Sequence, residues 1–106
     1  MSNESTPITV TDNTASQRYE AVVDGHTSII TYHVTDGLIS LNHTEVPPEL
    51  RGRGVADQLA TFALNDARKR GLEVVPNCPF VATYIRRHTE YRDLVPDKYA
   101  SLLDRS

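Results

Sequence analysis

The stretch from Pro47 to Ala56, Pro-Pro-Glu-Leu-Arg-Gly-Arg-Gly-Val-Ala, constrains the fold more than any other part of the chain. It follows a segment in which apolar and polar residues alternate, as in a strand, and it precedes a segment with apolar residues at helical spacing. The glycines and arginines therefore lie in a turn that enters a helix. The first N–H groups of a helix lack internal acceptors and carry partial positive charge. Such a turn suits an anion, and phosphate in particular.

Three strands are predicted before this turn, over residues 18–23, 28–34 and 38–46. They are rich in β-branched and aromatic residues, and the pairs Asp24-Gly25 and Asp36-Gly37 separate them. Asp-Gly is typical of the two-residue turns of β-hairpins. The sequence therefore predicts an antiparallel meander that leads directly into the glycine and arginine turn.

The third strand should end in polar residues. Side chains alternate between the two faces of a strand, so Ile39, Leu41, His43 and Glu45 are predicted to share one face. The histidine and the glutamate would lie at the end next to the turn. For His43 we favour the simple interpretation that the strand becomes polar where it leaves the core.

A helix is predicted over roughly residues 54–70. Basic residues 68–70 complement the dipole in its last turn, and Gly71 is typical of a helix C-terminus. Residues 72–76 then form a short strand reached through a helix, so this strand should be parallel to the third strand and lie beside it. The apolar stripe predicted to face the sheet is Val55, Leu59, Phe62 and Ala63.

A second helix follows, with Asn77 or Cys78 as its cap and Pro79 at its first position. A last short helix is predicted over residues 96–103. The polar residues 1–16 are interpreted as a flexible tail, in which residues 8–10 could add an edge strand, and residues 17–106 as one domain.

Composition excludes several classes of protein. The net charge of −3 argues against a nucleic-acid binder that depends on many phosphate contacts. No apolar run approaches the ~18 residues that span a bilayer, and the N-terminus has no signal-peptide pattern. The single cysteine, Cys78, fits a reducing compartment, so we expect a cytoplasmic protein. The four histidines are scattered, and no metal site is predicted.

Three motifs together resemble one enzyme family. Arg51-x-x-Gly54-x-Ala56 is similar to the [Gln/Arg]-x-x-Gly-x-[Gly/Ala] signature of the GNAT acetyltransferases. Asn77 and Tyr84 are spaced as in that family's Asn-x-x-Ala-x-x-x-Tyr pattern, although Phe80 replaces the alanine. His-Thr-x-Val-Pro before the turn, with Cys-Pro, Tyr-Ile and His-x-x-Tyr after it, resembles a minimal GNAT subfamily of about this length. The resemblance covers about residues 18–95 and implies an α+β fold with a mixed sheet.

The resemblance implies that the turn holds acetyl-CoA or coenzyme A. Backbone amides would bind the pyrophosphate, while Arg51 and Arg53 would add charge-assisted hydrogen bonds. The backbone amide of Val46 would polarise the thioester carbonyl, and Asn77 would bond the pantetheine arm or cap the second helix. The cofactor-binding residues implied within the turn are Arg51, Gly52, Arg53, Gly54, Val55 and Ala56. An alternative is that the turn only caps a helix and is solvated.

The catalytic groups implied by the resemblance each have a structural alternative. Tyr84 matches the family tyrosine that faces the cofactor sulfur and would act as general acid, or it packs on the sheet beside Phe80. Glu45 would accept the amine proton, with His43 behind it, or is an exposed strand end. Cys78 at a helix N-terminus could carry a covalent acetyl group, but a buried cysteine and direct transfer are favoured.

The leading functional hypothesis is an N-acetyltransferase acting on an amine-bearing small molecule or peptide, as a monomer or weak dimer. Asp24-Gly25 stands where larger GNAT members have helices that help to bind the amine, so the acceptor is not identified. The alternative is an acyl-CoA sensor or adaptor with little turnover. An RNA-binding Arg-Gly-Arg-Gly element is disfavoured by the acidic total charge and the lack of interleaved aromatic residues.

Overall fold

The computed structural model describes residues 8–104 and shows one five-stranded sheet beside two helices. The strands lie in the order in which they occur in the chain. Neighbours are antiparallel except for the last pair, which is parallel, so the sheet is mixed and the predicted α+β fold is confirmed. The strands are β1 Val10–Asn13, β2 Arg18–Val23, β3 His26–Thr35, β4 Leu38–Glu45 and β5 Glu73–Pro76.

The first strand lies within the stretch that the sequence predicted to be a tail. The edge strand expected at residues 8–10 is instead β1, which pairs with β2. Its polar side chains gain partners on the sheet, because the Tyr32 hydroxyl donates to Asp12 and the Asn13 amide donates to Glu20. These bonds add to the apolar contacts of Ile8 and Val10, which pack against the core. Residues 1–7 of the predicted tail lie outside the described residues.

The meander forms as predicted, with Asp24-Gly25 and Asp36-Gly37 between its strands. After β4 come a 3₁₀ helix, Pro48–Leu50, and the turn to α1, Val55–Lys69. The second helix, α2, begins at the predicted proline and spans Pro79–Arg87. Two further 3₁₀ helices, Thr89–Leu94 and Asp97–Asp104, complete the described chain. None of the helices within residues 8–104 has the length and apolar character needed to cross a membrane.

Helix α1 packs against one face of the sheet. Tyr19 of β2 donates to Asp66 of α1 at 2.8 Å, and buried Leu59 and Ala63 lie on the same helix. Phe62 was predicted to belong to the buried stripe, but it lies at the edge of the stripe and is 37% exposed, with its ring against the edge of Tyr19. The opposite face of the sheet is more open, since Val22 is 63% exposed.

A β-bulge at Asn42 changes which side chains of β4 share a face, compared with the sequence prediction. Thr31 of β3 pairs with His43, and the next residue, Tyr32, pairs with Leu41, so Asn42 has no partner in β3. One extra residue moves every later side chain to the other face. His43 therefore lies on the face opposite to Leu41, and the prediction that they share a face is wrong.

Candidate functional site

The turn before α1 leaves the helix N-terminus without a side-chain cap. Gly54 is the N-cap residue and adopts a left-handed conformation, with φ 78° and ψ 11°, and Gly52 has φ 79°. The first bond of the helix runs from the Gln58 N–H to the Gly54 carbonyl at 3.1 Å. The N–H groups of the first helical turn therefore point outward with no acceptor in the helix.

A pocket of about 250 Å³ opens beside this turn. Its apolar wall includes Val46, Leu50 and Val55, while the polar side is formed by the turn itself. A Cβ atom built on Gly52 or Gly54 would meet no protein atom within 4 Å, so the space in front of both glycines is open. The residues that line the pocket are Val46, Leu50, Arg51, Gly52, Gly54, Val55, Ala56 and Asp57.

This pocket brings together most of the predicted cofactor-binding residues. Val46 follows β4 and the remaining members belong to the turn, yet all of them line one cavity. The outward N–H groups and the partial positive charge of the helix end favour phosphate, while the apolar wall suits an aliphatic chain. The residues present therefore fit the pyrophosphate and pantetheine of coenzyme A. Asp57 is the exception, because its carboxylate lies in the first turn of α1 and would repel phosphate.

Arg53 contacts the β2–β3 hairpin instead of lining the pocket. Its guanidinium donates to the Asp24 carboxylate at 2.9 Å, and both side chains are about half exposed or more. His26 of the same hairpin lies 3.8 Å from Glu49. The short hairpin thus lies next to the turn, and Arg53 would have to leave Asp24 to bind phosphate. An exposed ion pair contributes only about 0–1 kcal/mol, so this exchange costs little.

A gap opens between β4 and β5 at the bulge. Their parallel pairing ends at Leu41 and Pro76, and the Cys78 N–H then donates to the Leu41 carbonyl at 2.8 Å. Beyond that point, β4 continues to Glu45 and pairs only with β3 within the described chain. The free edge of β4 leads directly to Val46 and the pocket. The sequence did not predict this gap.

The two faces of β4 carry different groups at the gap. Thr44 lies opposite Ile30, which pairs with Tyr19, so Thr44 is on the face that α1 covers. His43 and Glu45 lie on the other face, where both are exposed and their side chains approach to 3.4 Å. The predicted base is therefore accessible to solvent, with His43 as its neighbour.

Cys78 is buried, with 3% of its surface exposed, and its thiol is hydrogen-bonded to the Thr44 hydroxyl at 3.1 Å. It occupies the N-cap position of α2 without a side-chain capping bond. Asn77 is therefore not the N-cap residue of α2, and its amide donates to Asn42 at 3.0 Å and links the bulge to the loop after β5. Both residues lie at the gap, and the buried thiol corresponds to the favoured alternative from the sequence.

Tyr84 lies on α2 and faces α1, and it belongs to the core cluster against which Phe80 also packs. Its hydroxyl is hydrogen-bonded to Thr61 of α1, and its ring stacks on His88 with centroids 4.0 Å apart. The side chain keeps a small opening to solvent, with 7% exposed. Burial raises the pKa of the Tyr84 phenol above its usual value, so the group carries its proton at neutral pH.

Sequence reasoning missed Thr61. Its hydroxyl donates to the Asp57 carbonyl one turn earlier at 2.8 Å, which is a common bond for threonine in a helix. Nothing in α1 alone distinguishes it from a surface threonine. The one available signal is that Thr61 is four residues after Asp57, so both residues lie on the same face of α1.

A sequence comparison identifies the family. The sequence profile described as GCN5-related N-acetyl-transferase matches residues 18–94, which include the sheet from β2 onward, the turn and both helices. The chain belongs to this family. The resemblance inferred from the motifs and the GNAT-like fold are thereby confirmed.

Relatives in vertebrates share part of the sequence. The chain is 34% identical to Protein NATD1 of Homo sapiens over 56 residues, which cover 53% of this chain and 50% of that protein. The Gallus gallus and Mus musculus proteins of the same name match with the same identity over the same length, or 51% of each. The chain thus spans about half the length of the curated relatives it matches.

The described residues hold no cluster of three or more histidine, cysteine or acidic side chains arranged to bind a metal ion. The polar groups of the site lie on several elements. The pocket and turn connect β4 to α1, and Asn77 and Cys78 lie at the gap between β4 and β5. Tyr84 of α2 contacts Thr61, which is one helical turn after Asp57 on α1. Glu45 is on the other side of the sheet.

Proposed function

We propose that this protein is an acetyl-CoA-dependent N-acetyltransferase that moves an acetyl group directly to an amine. Membership in the family supports the class of reaction. The observation that carries the proposal is the uncapped N-terminus of α1, which opens with two left-handed glycines onto a pocket. Phosphate is the ligand that such a helix end favours.

Binding of the cosubstrate is assigned to the turn and to the end of β4. The outward N–H groups of Gly54, Val55 and Ala56 would donate hydrogen bonds to the pyrophosphate, and Arg51 and Arg53 would supply positive charge. The pantetheine arm would then follow the free edge of β4, where the Val46 amide and the Asn77 side chain offer hydrogen bonds. The thioester supplies an activated acetyl group.

The acid and the base are proposed on opposite faces of the sheet. Glu45 is exposed at the open end of β4, where it can take a proton from the acceptor amine directly or through water. Tyr84 carries its proton on the α1 side and is assigned to protonate the leaving thiolate. Direct transfer is preferred over a covalent route because Cys78 is buried and hydrogen-bonded to Thr44.

A second candidate is an acyl-CoA sensor with little turnover. One observation favours it, which is that the Tyr84 hydroxyl is already hydrogen-bonded to Thr61 instead of facing open space. A sensor would bind coenzyme A at the same turn but release no thiol in the presence of amines. The main proposal also includes the acceptor class, which is an amine-bearing small molecule or peptide. It further includes a cytoplasmic location and a monomeric or weakly dimeric state.

Calorimetric titration with coenzyme A tests the binding part of the proposal. A hydrogen bond to a charged group contributes about 1.5–3 kcal/mol, so Arg51→Ala should weaken binding by roughly ten- to one-hundred-fold. Arg92→Ala, an exposed arginine of the 3₁₀ helix that follows α2, is the matched control and should bind normally. Equal affinity in wild type, Arg51→Ala and Arg53→Ala would remove the central claim.

Turnover is tested by incubating the protein with acetyl-CoA and a panel of amines and peptides while free thiol is measured. Thiol release that depends on both the amine and the protein supports the transferase. Tight binding of coenzyme A without release in any mixture would favour the sensor.

A further inference from the structure

We propose that Thr61 is a positioning residue for Tyr84. In the resting protein the Thr61 hydroxyl accepts a hydrogen bond from the phenol, and once the phenol proton has left, the same hydroxyl donates a hydrogen bond to the phenolate. The inference rests on the proposed function in one respect, which is that the Tyr84 proton is transferred to the leaving thiolate of coenzyme A. The hydrogen-bonding part concerns the protein alone and can be tested without turnover.

The direction of the resting hydrogen bond follows from counting protons. The Thr61 hydroxyl has one hydrogen, and it donates this hydrogen to the Asp57 carbonyl at 2.8 Å. The bond between the two hydroxyls must then be donated by Tyr84. The phenol proton therefore points at Thr61 in the resting state. Because Asp57 lines the pocket, the three groups form a continuous path from the pocket to the phenol.

Thr61 can change from acceptor to donor by giving up its own bond to the Asp57 carbonyl. In the proposed reaction the acceptor nitrogen forms a C–N bond with the acetyl carbon and loses one proton to Glu45, and the C–S bond of the thioester breaks. The O–H bond of Tyr84 then breaks as an S–H bond forms on the leaving thiolate. Rotation about the Cβ–Oγ1 bond of Thr61 then turns its hydrogen from the Asp57 carbonyl to the phenolate. That carbonyl remains an acceptor within α1, because the N–H four residues later bonds to it in a regular helix.

The surroundings of Tyr84 make such a donor important. Asp57 on α1 and Glu90 on the following 3₁₀ helix are acidic, and Tyr91 lies with its ring centroid 6.2 Å away; all three disfavour a negative charge on the phenol. His88 at the end of α2 stacks on the ring, but its Nδ1 is hydrogen-bonded to the Tyr84 carbonyl at 2.9 Å. Within residues 8–104, Thr61 is the side chain that is hydrogen-bonded to the Tyr84 hydroxyl.

The first experiment measures ionisation of the phenol in the free protein. Tyrosine labelled with ¹³C at the ζ carbon gives separate NMR signals, and Tyr84→Phe assigns the one that matters. In Thr61→Val the pKa of Tyr84 should rise by about 1 to 2 pH units, which is the value of a lost hydrogen bond to a charged group. Thr61→Ser keeps the hydroxyl and should titrate like wild type.

A pKa in Thr61→Val that equals or falls below the wild-type value overturns the proposal, and so does a serine variant that behaves like valine. Thr61→Ala carries the same expectation should the valine variant fail to fold. The signal of Tyr19, which is also buried but bonded to Asp66, reports whether the fold survives the alkaline range.

The second experiment separates positioning from a structural effect. Thr61→Val should lower kcat by about ten- to one-hundred-fold while the Kd for coenzyme A stays within two-fold, and Thr61→Ser should restore kcat. In the Tyr84→Phe background the valine substitution should have no further effect, whereas additive losses would contradict the proposal. If wild type binds coenzyme A but acetylates no amine, the transferase assignment fails, and the NMR titration still decides the role of Thr61.

Discussion

Replacing Gly54 by valine distinguishes a phosphate cradle from an ordinary helix-capping turn. Gly54 has φ 78°, a conformation that costs a residue with a Cβ atom about 1–2 kcal/mol. An added Cβ would meet no protein atom within 4 Å, and Gly54 lines the open pocket, so the main cost expected of the substitution is backbone strain. Gly54→Val should therefore fold, with a Tm lowered by roughly 5–15 °C.

The effect on coenzyme A should be far larger than the effect on stability. The valine side chain would occupy the space in front of the helix N-terminus and block at least two hydrogen bonds to phosphate. At about 1.5–3 kcal/mol each, their loss should weaken binding by more than about one-hundred-fold. Calorimetric titration of folded protein, checked by circular dichroism, gives the affinity.

Gly37 provides a matched control. It has φ 80° and equally open space around it, but it lies in the β3–β4 turn at the far end of β4 from the cradle. Gly37→Val should suffer the same backbone strain and a similar fall in Tm, yet bind coenzyme A like wild type. If the two variants bind with affinities within three-fold of each other, strain alone explains the loss and the cradle is refuted.

Four further substitutions test other parts of the structure. Asp24→Asn releases Arg53 from its ion pair, so calorimetry should detect coenzyme A affinity raised by up to about five-fold; weaker binding would contradict this account. Tyr84→Phe should lower kcat by about 10²–10⁴-fold while Cys78→Ala keeps most activity, and the reverse ranking in thiol-release assays would favour the covalent route. Ser28→Ala should stabilise the fold by about 1 kcal/mol in urea denaturation, since within residues 8–104 the buried Ser28 hydroxyl has no hydrogen-bond partner.

Local signals in the sequence were sufficient for most of the fold. The Asp-Gly pairs determine the hairpins because few residues adopt the positive φ that these turns need, and both Asp24 and Asp36 do so here. The apolar spacing of α1 gave its ends to within one residue, Val55–Lys69 against the predicted 54–70. These features depend on residues that are close together in the sequence, so a single sequence is enough to predict them.

The parts that were missed depend on contacts between distant residues. The bulge at Asn42 adds one residue to an otherwise regular alternation, so a period-two pattern assigns His43 and Glu45 to the wrong face. The side chains that Arg53 and Tyr84 contact, Asp24 and Thr61, lie 29 and 23 residues away from them. These contacts between distant residues depend on how α1 and the turn before it pack against the sheet. That packing cannot be predicted from local patterns in the sequence.

The bulge at Asn42 also places the proposed base, Glu45, and the proposed acid, Tyr84, on opposite faces of the sheet. Without it, Glu45 would share the face of Leu41 and lie under α1, on the same side as Tyr84. With it, Glu45 is exposed on the outer face while Thr44 and Cys78 meet on the inner one, and the gap between β4 and β5 connects the two. In the proposed reaction an amine would approach from the outer face while the pantetheine arm follows the free edge of β4, so that base and acid would act on opposite sides of one thioester. Deleting Asn42 should therefore abolish transfer more completely than removing either group alone.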